Sequence, residues 1–200
     1  MELHRMALIL VVDDTEEVCE SICASLQSRD HVVHAVHAVQ DGIDALQRSL
    51  ACEPYAVAIV ALRLSGGCVG TDSETAGMRV VKEALQIPFL EPIVLTVPPS
   101  AVTAAEALQR GVFACVTRAE SGCDEDFLKR LVAVVERALE NREVMRTLDE
   151  SLREVRHSFA EVADDDVKGA GFAAARLYFA FAERGHEFIL RARGRLPARA

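Results

Sequence analysis

The chain has 200 residues, 50% of them hydrophobic and none of them Trp, with a formal net charge of −9. Its core must be aliphatic, and no apolar run approaches the roughly 20 residues that cross a bilayer. Sixteen acids against eight bases over residues 1–123 argue against nucleic acid on that part of the chain. The start shows no leader-like pattern of basic residues, apolar run and small-residue cleavage site, so a cytoplasmic protein without membrane contact is expected.

The first predicted element is the run Leu8-Ile9-Leu10-Val11-Val12, a strand buried on both faces and ended by Asp13 and Asp14. Two adjacent carboxylates at the carboxyl end of such a strand repel unless a cation joins them, and hard oxygen ligands suit Mg²⁺ or Ca²⁺. The plainer alternative makes Asp14 a helix N-cap and Asp13 a solvated turn residue. Val18, Cys19, Ile22, Cys23 and Leu26 then recur at helical spacing to about Ser28. His31 to Val39 reads as a second strand and Asp41 to Leu50 as a helix broken by Pro54. Tyr55 to Leu62 is a third, continuously apolar strand, followed by a polar loop to about Gly77.

Met78 to Leu85 reads as helix, Ile93 to Val97 as a fourth strand, and Ser100 to Arg110 as a short helix stopped by Gly111. Val112 to Thr117 is a fifth strand, with a helix from about Asp124. Strands alternating with helices predict a flavodoxin-like, doubly wound, five-stranded parallel sheet, an α/β fold. Its strand ends should gather Asp13, Asp14, Ala61, Thr96 and Arg118. No glycine-rich nucleotide loop follows the first strand. The six cysteines form no CxxC pair, and Cys19 with Cys23 has no partner at zinc-like spacing.

With these residues in place, the chain resembles a response-regulator receiver domain from about residue 6 to 140. The resemblance rests on Leu8 to Asp14, Val60 to Gly66, Ile93 to Val97 and Gly111 to Arg118. It implies that Asp13 and Asp14 match the Mg²⁺-binding acids, and Thr96 the hydroxyl that contacts the phosphoryl group. The phosphoacceptor Asp of that family falls at Ala61, whose methyl group offers no nucleophile. The family's Lys falls at Arg118, the Pro after it at Ala119, and the aromatic switch position at Cys115. The resemblance therefore implies a degenerate receiver, a pseudo-receiver without conventional phosphorylation. Mg²⁺ binding would be weak or absent, with Arg118 neutralising Asp13 and Asp14. A shifted acceptor such as Asp72, in the polar loop, is the alternative for a conventional phosphorelay receiver.

From Leu131 a seam runs through Val134, Ala138, Asn141, Met145, Leu148, Leu152, Val155, Phe159 and Val162. Its period of about 3.5 residues is that of a left-handed coiled coil. These ten positions are taken as a homodimerisation face, with Asn141 fixing register. A second stripe, Leu128, Val132, Val135 and Leu139, is assigned to the sheet. An antiparallel hairpin with residues 170–190 is the alternative use of the seam. The organisation is then a receiver-like domain over 1–123, a last receiver helix continuing as coiled coil over 124–163, and a short helical, basic tail over 164–200.

In that tail, Phe172 to Phe181 is aromatic-rich, and five Arg stand between Arg184 and Arg199. Lys168-Gly169 faintly resembles a histidine-phosphotransfer motif, but Asp165 stands where its His would be. The leading functional expectation is a phosphorylation-independent signalling or adaptor homodimer that binds an unidentified protein partner. The alternatives are a nucleic-acid-binding transcriptional or RNA regulator using the basic tail, and the shifted-acceptor receiver. An enzyme is not expected, because no nucleophile, His base or cofactor loop accompanies the acids.

Overall fold

The computed structural model describes residues 6–64, 76–97, 101–119 and 122–164, and the side chains of all of these except 101–104 and 155–164. Asp72, the aromatic stretch and the basic tail lie outside the described residues, as do the side chains of Val155, Phe159 and Val162.

Five parallel strands form one sheet: β1 (Leu8–Val12), β2 (Val32–Val36), β3 (Val57–Ala61), β4 (Glu91–Thr96) and β5 (Ala114–Thr117). Their spatial order is β2-β1-β3-β4-β5. The inner strands are the continuously apolar ones: every residue of β3 and β4 is buried, and β1 is buried from Ile9 onward. The edge strand β2 is only half-covered, consistent with its mixed sequence. The winding reverses between β1 and β3, which opens a crevice at the carboxyl ends of the central strands.

The connections are helical: α1 (Glu16–Gln27), α2 (Val39–Ser49), α3 (Gly77–Ala84) and α4 (Ala101–Gln109). Each described face buries the positions that its spacing predicts, such as Val18, Cys19, Ile22 and Leu26 on α1. Helix α2 starts at Val39, before the acids expected to open it, and β4 starts at Glu91, taking in Pro92. Gly111 supplies the expected left-handed stop, with φ of 93°. Gly77 is required by proximity, since a Cβ there would stand 1.9 Å from the Ala61 carbonyl oxygen.

Helix α5 runs from Glu125 to Asp164. Its first turns pack Phe127, Leu131, Val135 and Ala138 into the sheet's core, all at most 1% exposed. Burying each larger apolar side chain contributes roughly 1.5–3 kcal/mol. This corrects the homodimerisation face: Leu131 and Ala138 are core residues, and Val134 packs against the core. Asn141 bonds to Glu91 of β4 at 3.0 Å. Both stripes of the early helix cover the sheet, because a helix lying on a sheet buries a band wider than a two-position seam.

The chain divides into two compact units, Met1–Arg142 and Glu143–Ala200. The boundary expected at 123/124 therefore moves along the chain, because the first turns of α5 complete the core of the sheet unit. In the second unit, Met145 and Leu152 are half-buried, whereas Val144 and Leu148 are exposed. Arg146 pairs with Glu143 and Glu150, and Arg153 with Asp149. No helix among the described residues is long and apolar enough to cross a membrane.

Candidate functional site

The crevice is built from the residue that follows β1. Asp13 is fully buried, and its backbone amide donates to the Val36 carbonyl at 3.2 Å, extending the β1–β2 pairing by one residue. Its Oδ1 accepts the Thr15 amide at 3.0 Å. That turn makes Thr15 the N-cap residue of α1, in an extended conformation, so Asp14 is not the cap. The Arg118 guanidinium reaches Asp13 from the end of β5, with Nη2 3.9 Å from Oδ2. Among the described residues no hydrogen-bond donor satisfies Oδ2.

Burial pushes the Asp13 carboxyl above its ordinary range, and the Thr15 amide and the Arg118 charge oppose that rise. The carboxylate is thus taken out of water with only Thr15 and one distant cation to stabilise it, an incompletely compensated charge. Asp14, next along the chain, is half-buried.

The remaining sequence-predicted residues lie on the neighbouring strand ends. Ala61, the last residue of β3, is buried and pairs in register with Leu95. Thr96, the last residue of β4, is buried; its hydroxyl donates to the Val97 carbonyl at 3.5 Å and its own carbonyl accepts the Arg118 amide at 3.0 Å. Cys115 on β5 is half-buried opposite Val94, and burial raises its thiol. Asp13 and Arg118 therefore meet through their side chains, and Thr96 joins Arg118 through the backbone. Ala61 brings no polar atom beyond its own peptide groups.

Three participants escaped sequence reasoning. The Asp13 carbonyl oxygen accepts from the Cys19 thiol at 3.3 Å, and His37 Nδ1 lies 3.1 Å from the same oxygen. Burial and the adjacent Asp13 charge push the Cys19 thiol up to about 12. Cys123 is raised by burial and also feels the charges of Arg118 and Asp13. The only sequence signal for Cys19 was its position one turn into α1. His37 and Cys123 come from connections whose course the local pattern does not fix.

No family model matches this chain, and no curated protein matches its sequence. Solved structures do. It is similar to a response regulator receiver domain protein from Clostridium thermocellum at 18% identity and TM-score 0.56, over 70% of this chain and 99% of that one. A CheY-like receiver domain protein from Methanospirillum hungatei gives 16% and 0.55, over 70% and 99%. NtrX from Brucella abortus gives 22% and 0.59, over 73% of this chain and 29% of that longer one. The fold is that of response-regulator receiver domains.

Proposed function

We propose that the chain is a non-catalytic signalling protein, a pseudo-receiver whose surface is read by a protein partner without phosphorylation. The observation that carries this reading is Ala61: a buried methyl group at the end of β3, the strand paired with the one that Asp13 follows. Phosphoryl transfer to a side chain needs an oxygen nucleophile, and a methyl group has none. The donor set fits a divalent cation poorly. Two carboxylates remain, Arg118 already stands beside one of them, and a guanidinium repels a metal ion at the same oxygen. Arg118 takes the neutralising role here.

In the same reading the second unit pairs with another copy of this chain. The seam left after the early positions are assigned to the sheet is Met145, Leu148 and Leu152, continued in sequence by Val155, Phe159 and Val162. Val144 and Leu148 offer exposed apolar surface on that helix.

Incubation with acetyl phosphate and Mg²⁺, followed by intact mass, tests the first part; an unchanged mass is expected. A phosphoryl adduct, on Asp72 or any other residue, would overturn it. Micromolar Mg²⁺ affinity by calorimetry would equally remove the role given to Arg118. Light scattering on the full chain tests the pairing, and a monomer at all concentrations would refute it.

A further inference from the structure

The contact between α5 and the sheet ends in a polar tie that the pocket does not use. After Ala138 and Leu139 the chain turns polar, and Asn141 and Arg142 of that polar stretch take over the contact. Asn141 Nδ2 donates to Glu91 Oε1 at 3.0 Å, and Arg142 Nε donates to the Phe89 carbonyl at 2.9 Å. Both acceptors belong to the segment that enters β4. Glu91 is buried, and Phe89 is held with φ of 58°, a left-handed conformation that a bulky side chain rarely adopts. Ile87 and Leu90 anchor the same segment in the core. The Phe89 carbonyl is thus presented by a strained backbone fixed on both sides, and Arg142 meets it.

We propose that Asn141 and Arg142, with Glu91 and Phe89, form a clasp that fastens the last sheet-bound turn of α5 and that opens locally while the sheet stays folded. Three observations point to this. The contacts are polar and lie at the margin of the apolar packing, where local opening exposes the least apolar surface. Phe89, whose carbonyl Arg142 meets, is held in a sparsely populated backbone conformation that only the surrounding contacts sustain. The acceptors stand some 50 residues away in sequence from their donors, so the tie closes only when β4 and α5 are both in place. None of these four residues belongs to the pocket, so the clasp does not rest on the reading given to Ala61.

Hydrogen exchange read by mass spectrometry on the full chain tests it, comparing peptides from residues 137–146 with peptides from β1, β3 and residues 127–135. Arg142→Ala and Asn141→Ala, which remove the bonds to the Phe89 carbonyl and to Glu91 respectively, are expected to speed exchange over 137–146 by about tenfold, the scale of one hydrogen bond to a partly buried acceptor. The β1 and β3 peptides should keep wild-type rates. Arg142→Lys, which keeps a donor, should stay closer to wild type than Arg142→Ala. Unchanged rates over 137–146 in both alanine variants would overturn the clasp. So would an equal acceleration in every peptide, which would mean that this turn opens only with the whole unit.

Discussion

Arg118 Nη2 stands 3.9 Å from Asp13 Oδ2, near enough for the charges to act on each other and too far for a hydrogen bond. The carboxylate is fully buried, while the guanidinium side chain keeps 13% of its surface in water. Such a pair moderates the cost of a buried charge without removing it, and the consequence can be read through pH.

Burial raises the folded-state pKa of Asp13 above its unfolded value, so folding favours the protonated carboxyl. The contribution of this group to stability is fully present below the ordinary carboxylate pKa, about 3.9. It is lost as pH rises through the raised folded value. Arg118→Met removes the charge that opposes the rise. We expect this variant to be less stable than wild type at pH 7 by roughly 1–3 kcal/mol, with the difference shrinking toward pH 4. Urea midpoints at the two pH values check this; an equal loss at both would assign Arg118 to packing.

Ala61→Asp puts a second carboxylate into a buried crevice that already holds one. Without metal, the expected loss of stability is roughly 2–4 kcal/mol. With half-buried Asp14 the new side chain makes three carboxylates, which supplies what a divalent ion lacks, so millimolar Mg²⁺ should raise the Tm of this variant and leave wild type unmoved. Thermal melts with and without Mg²⁺ decide it.

Gly77→Ala isolates a steric effect. Ala is favoured over Gly inside a helix by about 1 kcal/mol, and Gly77 opens α3, so less than that gain is on offer. Here its Cβ would meet the Ala61 carbonyl oxygen at 1.9 Å, and that atom is backbone and cannot swing aside. The clash wins: a net destabilisation of roughly 2–4 kcal/mol is expected in denaturant unfolding.

Two leucines of the same helix should behave oppositely. Leu131, fully buried in the sheet unit, costs roughly 2–5 kcal/mol on replacement by Ala. Leu148 is 42% exposed, so Leu148→Lys should leave urea unfolding of the sheet unit within about 0.5 kcal/mol. If the helices pair as proposed, the same change lowers the mass found by light scattering.

These two leucines also mark the limit of what the sequence could tell. The strands were legible because β1, β3 and β4 are covered on both faces, and a short uninterrupted apolar run between turn residues suits a strand in that setting. The ends of those strands pointed to Asp13, Ala61 and Thr96 for the same reason, whereas Arg118 follows the partly covered edge strand β5. Periodicity in α5, however, reports which side of a helix is covered and is silent about what covers it. Leu131 and Leu148 fall on one regular seam, yet the first is buried in the sheet's core and the second is exposed. Asn141 looked like a polar register position, and its partner Glu91 lies in another element. The ring of donors on the Asp13 carbonyl was hidden as well, since Cys19 and His37 reach a main-chain atom that no side-chain pattern announces.

The clasp bears on how the molecule can be cut for study. A piece ending at residue 140 would retain every strand and all the apolar turns of α5 that cover the sheet. It would also shed both donors and leave Glu91 and the Phe89 carbonyl facing a ragged terminus. Two more residues restore the fastening, so a truncation designed by apolar packing and one designed by polar contacts differ by a dipeptide, and the shorter fragment should fray first at the end where the longer one is sealed.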